Sequence, residues 1–305
     1  MDDNEIQILN QVINIPTLVN NDIEEKIKKV LNKCGLFYRI FSRTKSKDSM
    51  VEKLSNPKYC DEKRVQDLIG VRIVLYFRDD VELCKNIIKK IFEVDNISED
   101  KADQETFKPS RLNIVCRLPE EVIYYIDDRI FENYYIDKTF EIQIRTVFSE
   151  GWHEVEHDLR YKFKDEWKDE FSDLSRALNG IFATLETCDR AILDLFNQFS
   201  YKKYRKKSWE SMLRNHLRIR FSKTLISSDL NQIFNNSPQV VKQIFTVNRA
   251  ELLSVIAFEN IGDFMLGDIN NMIYIINALY LKNDDILKIT PQLIKDECKE
   301  KYVEV

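Results

Sequence analysis

Three polar residues alternate with apolar residues in the segment FEIQIR. Glu141, Gln143 and Arg145 occupy every second position there. Because successive side chains of a β-strand point to opposite faces of a sheet, this spacing places a carboxylate, an amide and a guanidinium on one face. Such a face could bind a cation, orient a substrate or accept a proton from it.

A basic segment earlier in the chain has the spacing R-x-K-x-x-x-S-x-x-x-K, beginning at Arg43. Its Lys45, Ser49 and Lys53 recur every four residues, so a helix would place them on one face. Ammonium and hydroxyl groups near a helix N-terminus favour a polyphosphate, because the helix dipole and the unpaired amides there also attract anions. A solvated basic face would have the same spacing, and the sequence leaves that alternative open.

A further polar pair lies in DLIGVRIV. Asp67 immediately precedes this predicted strand, and Arg72 lies on the opposite face from Val71 and Ile73. A structural ion pair would satisfy both charges. A carboxylate near phosphates also suits Mg²⁺, which takes one or two protein carboxylates and completes its shell with phosphate oxygens and water. Together with Glu141, Asp67 therefore predicts metal-assisted phosphoryl chemistry.

The elements that must position these residues lie within residues 20–165, a predicted mixed α/β domain. The β-branched run LIGVRIVLYF predicts a buried strand over residues 68–77, and RLNIVCRLP and DKTFEIQIRT predict two more. Apolar periodicity predicts helices over residues 16–34 and 79–94. The polar residues 95–110 are predicted to form a loop.

The second half of the chain has a different pattern. Apolar residues from Phe171 to Phe199 recur in alternating steps of three and four, which predicts a long helix that packs along another helix, within the chain or in a second copy. Residues 201–223 are basic and interleaved with aromatic residues. The predicted domains are residues 20–165, a long helix and basic connector over 166–223, and a helical accessory domain over 224–305.

Composition limits the class of protein. The 305 residues are 44% hydrophobic and carry a net charge of only −5, so no global field favours nucleic acid or a membrane surface. Six scattered cysteines without metal-ligand spacing predict a reduced, intracellular protein without a structural zinc. The acidic N-terminus lacks the apolar core of a signal peptide, and no apolar run approaches the roughly 20 residues of a membrane span. We expect a cytoplasmic protein.

Several of these motifs together resemble a known family. SRTKSKDSMVEKL, DLIGVR, and EIQIRT followed by W-x-E-x-EH-x-x-x-YK resemble the synthetase domain of RelA/SpoT-type alarmone synthetases, over residues 30–165. The resemblance implies an α+β fold with a nucleotidyltransferase-like mixed β-sheet flanked by helices, followed here by a long helix and a small helical C-terminal domain. It also implies a GTP diphosphokinase, which transfers pyrophosphate from ATP to the ribose 3′-hydroxyl of GDP or GTP to make (p)ppGpp.

The resemblance implies a role for each polar motif. Arg43 and Arg72 would hold the adenine of ATP between them, and Lys45, Ser49 and Lys53 would hold its phosphates. Asp67 would bind Mg²⁺, Glu141 would bind the metal or take the proton of the attacking hydroxyl, and Gln143 and Arg145 would order the acceptor. The following helix would support the floor of the site through Trp152, Glu154, Glu156, His157 and Lys162. For His157, a hydrogen-bonded structural role is the alternative.

The acceptor loop departs from the family pattern. The family usually has a loop resembling G-Y-R-S-x-H, whose tyrosine stacks on guanine. Here Pro109 stands at the tyrosine and Asn113 at the histidine. Acceptor contacts are therefore expected from Phe107, Lys108, Arg111 and Asn113.

This departure leaves three hypotheses for the function. The first is a (p)ppGpp synthetase. The second is a toxin or phage-defence enzyme that pyrophosphorylates tRNA 3′ ends or adenosine nucleotides, with residues 201–223 along an RNA backbone. The third is a catalytically inactive binding module. A homo-oligomer through the helix over residues 171–199 is compatible with each of them.

Overall fold

A computed structural model of the chain describes residues 16–99, 112–167, 171–258, 261 and 267–298. Within these residues a five-stranded mixed sheet has the order β1-β2-β5-β4-β3. Strands β2 and β5 are parallel, and the other neighbouring pairs are antiparallel. The strands are β1 (Tyr38–Thr44), β2 (Ile69–Leu75), β3 (Val94–Glu99), β4 (Leu112–Arg117) and β5 (Thr139–Thr146).

Helices precede, connect and follow these strands. Those of the first half are α1 (Thr17–Lys33), α2 (Lys47–Leu54), α3 (Asp80–Ile91), α4 (Glu120–Ile123), α5 (Arg129–Asn133) and α6 (Val147–Val155). The long helix is α7 (Ser172–Arg205). The helices after it are α8 (Trp209–Leu217), α9 (Ser228–Asn236), α10 (Pro238–Thr246), α11 (Arg249–Phe258), α12 (Ile269–Ile276), α13 (Asp284–Ile289) and α14 (Gln292–Glu297). The predicted fold class, a mixed sheet flanked by helices with a long helix and further helices after it, is confirmed.

The two faces of the sheet differ in polarity, as the alternation in the sequence predicts. Val71 and Ile73 of β2 and Ile142 and Ile144 of β5 are almost completely buried on one face. Burying these β-branched side chains contributes roughly 1.5–3 kcal/mol each relative to exposure, which fixes the register of the strands. The polar residues between them are consequently held on the other face.

The loop predicted over residues 95–110 is wrong in its first part. Residues 94–99 form β3, which pairs antiparallel with β4 at the edge of the sheet. Because every residue of this edge strand is half-buried or exposed, polar residues such as Asp95 and Asn96 are tolerated and the apolar signal of a buried strand is missing. The rest of the predicted loop lies outside the described residues.

The single helix predicted from Trp152 to Lys162 is also corrected. Helix α6 ends at Val155 and continues as a π-helical turn over Glu156–Tyr161. In this turn Arg160 pairs with Glu156 at 2.5 Å. The wider turn is compatible with these polar contacts, whereas the periodicity of the sequence alone indicates only a helix.

The chain divides into two compact units. One comprises the chain as far as Lys29 together with Tyr38–Tyr76 and Cys84–Glu186, and contains the sheet. The other comprises Val30–Phe37, Phe77–Leu83 and the chain from Thr187 onward. The domain boundaries expected at residues 165 and 223 stay a prediction.

Buried charges join three segments inside the second unit. Asp80, which is completely buried, pairs with Arg249 at 2.5 Å. Arg249 also donates to the backbone carbonyls of Leu217 and Arg218, and Arg218 pairs with Asp79. Burial raises the pKa of the Asp80 carboxyl although Arg249 opposes this effect. A buried ion without a partner destabilises the fold, so removing one member of these pairs should destabilise the protein through the charge that is left.

The apolar residues from Phe171 to Phe199 that recur in steps of three and four form a stripe along the long helix α7. The face that α7 buries is different from this stripe. Phe182 is 3% exposed, whereas Leu174, Ile181 and Leu195 of the stripe are 53%, 56% and 63% exposed. The long helix itself is therefore confirmed. Leu178, Leu185 and Ile192 of the same stripe are half-buried, and the packing partner expected for the stripe stays a prediction.

Two expectations from composition can be compared with the structure. All six cysteines are free. Among the helices that the structure describes, none combines the length and the apolar character that crossing a bilayer requires.

His216 makes the stability of the second unit dependent on pH. Burial lowers the pKa of this imidazole to about 4, and Arg218 contributes to the shift. Because an unfolded histidine titrates near 6.5, the unfolded chain binds more protons between these pH values, and stability falls as the pH falls through this window. We expect H216Q to remove up to about 3 kcal/mol of this pH dependence. The free energy of unfolding from urea denaturation between pH 7 and pH 4 measures it, and a pH profile that H216Q leaves unchanged would contradict this assignment.

Candidate functional site

Two rows of residues cross the polar face of the sheet. In the first row Arg43 of β1, Gly70 of β2 and Glu141 of β5 are neighbours. In the second row Phe41, Arg72, Gln143 and Asn113 follow one another through strands β1, β2, β5 and β4. The register therefore brings residues from four strands to one surface.

An ion cluster lies next to the start of β2. Asp67 accepts hydrogen bonds from Lys45 at 2.7 Å and from Lys53 at 2.7 and 2.8 Å. Lys45 precedes α2, whose N-cap is Ser46, so it is not stacked on the helix as predicted. A backbone hydrogen bond from Lys45 to Leu68 instead holds it near Asp67.

Within the cluster, the pKa shifts of Asp67 and Lys53 both favour the ionised form. Burial opposes ionisation of Asp67, but hydrogen bonds from Lys45 and Lys53 outweigh it and lower the pKa of the carboxyl. Burial likewise opposes the charge of Lys53, and the hydrogen bond to Asp67 raises its pKa. Two ammonium groups and one carboxylate leave a net positive charge, which suits an anion. Ser49 lies one helical turn before Lys53 and accepts a hydrogen bond from Ser46 at 2.9 Å.

Arg72 is held by an amide and two carboxylates. Its Nε donates to Gln143 at 3.2 Å, and its Nη1 donates to Glu150 at 2.8 Å and also to Glu154. Burial would lower the pKa of this guanidinium, but Glu150 and Glu154 raise it. Glu150 was missed by the sequence reasoning. Its spacing of four residues from Glu154 places both on one helix face and could have indicated it.

The carboxylate of Glu141 lies between two amides. Asn113 Nδ2 donates to its Oε1 at 2.9 Å, and Gln143 Nε2 donates to its Oε2 at 3.1 Å. The buried guanidinium of Arg145 faces Asn113 Oδ1 at 3.5 Å. The predicted catalytic acid is thus at the centre of a polar network that joins three strands.

The predicted supporting residues fall into two groups. Glu154 contacts Arg72, and Trp152 is buried against Phe182 with ring centres 5.3 Å apart. The other three lie in or after the π-helical turn: Glu156 pairs with Arg160, while His157 and Lys162 each contact Asp158. Their supporting role stays a prediction. Of the predicted acceptor residues, Phe107, Lys108 and Arg111 lie outside the described residues.

The carboxylates of Asp67 and Glu141 suit a metal ion that takes only one or two of its ligands from the protein. No group of three or more histidine, cysteine, aspartate or glutamate side chains could hold a metal in the part of the chain that the structure describes. Asp67 and Glu141 instead provide single carboxylates, each already hydrogen-bonded. Mg²⁺ commonly binds to one or two carboxylates and takes its other ligands from water and phosphate. The residues therefore fit Mg²⁺ bound together with a polyphosphate.

Comparison with known proteins identifies this segment. Residues 42–166 match the family described as the region found in RelA / SpoT proteins. The match covers less than half of the chain, and the matched segment is named the RelA/SpoT region for this similarity. The resemblance stated from the motifs over residues 30–165 is confirmed.

The individual proteins that resemble the RelA/SpoT region share less than a third of their aligned residues with it. GTP pyrophosphokinase YwaC of Bacillus subtilis (strain 168) is 29% identical over 130 residues, which are 40% of this chain and 57% of that protein. This chain thus spans little more than half the length of that relative. Small alarmone synthetase 1 of Bacillus subtilis has a solved structure with a TM-score of 0.45 and 21% identity, covering 58% of this chain and 91% of that one. The solved structure of a GTP pyrophosphokinase family protein of Streptococcus pneumoniae has a TM-score of 0.45 and 21% identity. The match covers 63% of this chain and 92% of that one.

Proposed function

We propose that the RelA/SpoT region transfers pyrophosphate from ATP to the ribose 3′-hydroxyl of GDP or GTP, making (p)ppGpp. The observation that carries the proposal is the convergence of Lys45 and Lys53 on Asp67 within the matched region. Two cations around one carboxylate provide ligands for the phosphates and for the metal of a metal–nucleotide complex at one point. The name of the relative YwaC, a GTP pyrophosphokinase, supports the same activity.

Binding of ATP would exchange partners within this ion cluster. The triphosphate attracts Lys45 and Lys53, and Ser49 can donate its hydroxyl to a phosphate oxygen. Asp67, released from the two lysines, and Glu141 would hold Mg²⁺, which neutralises charge on the phosphates when bound. Arg43 and Arg72 can stack on the adenine, because a planar guanidinium packs well against an aromatic ring.

The transfer step needs a proton acceptor near the attacking hydroxyl. The 3′-oxygen forms a bond to the β-phosphorus of ATP, the bond from that phosphorus to the α–β bridging oxygen breaks, and AMP leaves. Glu141 takes the proton of the hydroxyl, or it would help to hold Mg²⁺, which when bound would lower the pKa of that hydroxyl. Arg145 and the predicted loop residues Phe107, Lys108 and Arg111 would order the acceptor.

The absence of a side chain at Gly70 would leave room for a substrate between Arg43 and Glu141. A Cβ built on Gly70 meets nothing within 4 Å, and valine is favoured in strands. We therefore expect G70V to retain its melting temperature but to lose at least ~10-fold in transfer rate, since a misplaced substrate commonly costs more than this. An added Cβ at Gly180 in α7 also meets nothing within 4 Å, so G180A is the matched control. Normal turnover of G70V would contradict a substrate at this position.

A second candidate function is pyrophosphate transfer to tRNA or to an adenosine nucleotide. The observation that favours tRNA is the exposure of Tyr201, Lys202, Arg205 and Lys206 at the end of α7. Cations beside an aromatic ring suit a nucleic-acid backbone and its bases. Replacing the three cations by glutamate should then weaken labelling of tRNA in a salt-dependent manner and spare free nucleotides.

The experiment that tests the acceptor uses γ-labelled ATP, Mg²⁺ and separate pools of GDP, GTP, ATP and tRNA. The proposal expects label in the guanosine nucleotides. Label in tRNA or ATP alone would support the second candidate, and no label in any pool would support an inactive binding module. The proposed use of ATP is compatible with the predicted cytoplasmic location.

We also propose that a second copy of the chain covers the exposed stripe of α7. The stripe repeats over four heptads, and α7 is the only helix of that length in the described part of the chain. Placing glutamate at Ile181 and Leu195 should shift sedimentation towards the monomer. R176E, at an exposed position of the same helix, should leave it unchanged.

A further inference from the structure

Two amide side chains converge on the Glu141 carboxylate. Asn113 reaches Oε1 from β4, and Gln143 reaches Oε2 along β5. Each carboxylate oxygen thus accepts one N–H bond in the part of the chain that the structure describes. Hydrogen bonds to an ionised group contribute more than those between neutral groups, so this pair should restrict the carboxylate strongly.

The orientation of both amides is set by arginines at the ends of the network. Arg72 Nε donates to Gln143 Oε1 at 3.2 Å, and the guanidinium of Arg145 faces Asn113 Oδ1 at 3.5 Å. A guanidinium only donates hydrogen bonds, so each amide must turn its oxygen towards the arginine. The NH₂ groups are thereby directed to Glu141.

Burial makes this network rigid. Arg145 is 3% exposed, and Arg72 is fixed by Glu150 and Glu154. The neighbours of Glu141 in its own row are Gly70 and Val115, which offer no polar side chain. Neither adjacent position can therefore replace the two amides.

We propose that Asn113 and Gln143 are positioning residues that clamp Glu141 between them. This inference rests on the proposed function and reassigns two residues that the sequence placed in the acceptor site. Each oxygen of Glu141 keeps lone-pair capacity for a metal ion or a proton while its direction is fixed. Asn113 stands where the family pattern has a histidine, so in this chain the position serves Glu141 and not the acceptor.

The kinetic test separates positioning from acceptor binding. We expect N113L and Q143L to lower kcat about 10–100-fold, the range typical of residues that orient a ligand-bearing side chain, with both KM values within about threefold. In the E141Q background neither change should lower kcat further, because its target is already absent. N113H, which keeps an N–H donor, should recover part of kcat, and V115A is the matched control. A raised acceptor KM with unchanged kcat would overturn the clamp.

A crystallographic readout is independent of turnover. In N113L the Glu141 carboxylate should leave the position that it has in the unsubstituted protein, while the strands stay unchanged. An unmoved carboxylate would overturn the clamp even if the protein is active. If the unsubstituted protein labels no acceptor, the proposed function fails, but a displaced Glu141 in N113L would still support the clamp.

Discussion

The E141Q variant is expected to lose pyrophosphate transfer by ~10²–10⁴-fold, the range of a positioned proton acceptor. An amide cannot accept the proton at neutral pH, and it is a weaker metal ligand than a carboxylate. Its oxygen can still accept from Asn113 or Gln143, so the fold and the affinity for ATP should be retained. Steady-state rates, ATP binding by calorimetry and the melting temperature together measure these effects.

A control for E141Q is E99Q, at the exposed edge strand β3, where Glu99 pairs with Lys85. This change removes the same charge on the edge strand, which β4 separates from β5, and should leave the rate unchanged. Near-normal turnover of E141Q would show that Glu141 neither accepts the proton nor holds an essential metal.

The R249M variant should have the largest effect on stability, about 3–5 kcal/mol, which is the usual result of removing one partner of a buried ion pair. The reason is that Asp80 is fully buried and would lose its partner, while two backbone carbonyls lose a donor. Chemical denaturation at neutral pH measures the free energy of unfolding. A decrease below 1 kcal/mol would contradict the buried network.

Two further variants isolate the buried pair. K288M breaks the exposed pair between Lys288 and Asp285 and should change stability by less than about 1 kcal/mol. The double variant R249M/D80L removes both charges and should recover much of the loss, since a matched apolar pair can replace a buried ion pair. If the double variant is no more stable than R249M, the loss of stability comes from the lost hydrogen bonds to the carbonyls of Leu217 and Arg218.

The polar face of the sheet could be predicted because strand periodicity is local. Glu141, Gln143 and Arg145 had to share a face once β5 formed, and Arg72 had to oppose Val71. The ion cluster could be predicted only in part, because the spacing of Lys45 and Lys53 predicted that both lie on one face of a helix. Their meeting at Asp67 depends instead on the turn before α2.

Other features depend on contacts between distant segments, which spacing does not encode. Asn113 and Glu141 are joined by the register of β4 on β5, and Asp80 and Arg249 by the packing of helices far apart in sequence. Strand β3 could not be predicted from apolar periodicity, because an edge strand needs no apolar face. The helical rule could have indicated Glu150, but the ion pair considered for its partner Arg72 was with Asp67, which pairs with Lys45 and Lys53 instead.

The most direct test of the central claim uses ATP labelled at the β-phosphate, with Mg²⁺ and GDP. Transfer of pyrophosphate predicts a labelled guanosine product and an equal amount of unlabelled AMP, and E141Q should form neither. Labelled ADP in place of AMP would mean that only the γ-phosphate moves. That result, or the absence of any labelled guanosine product, would contradict the proposed function.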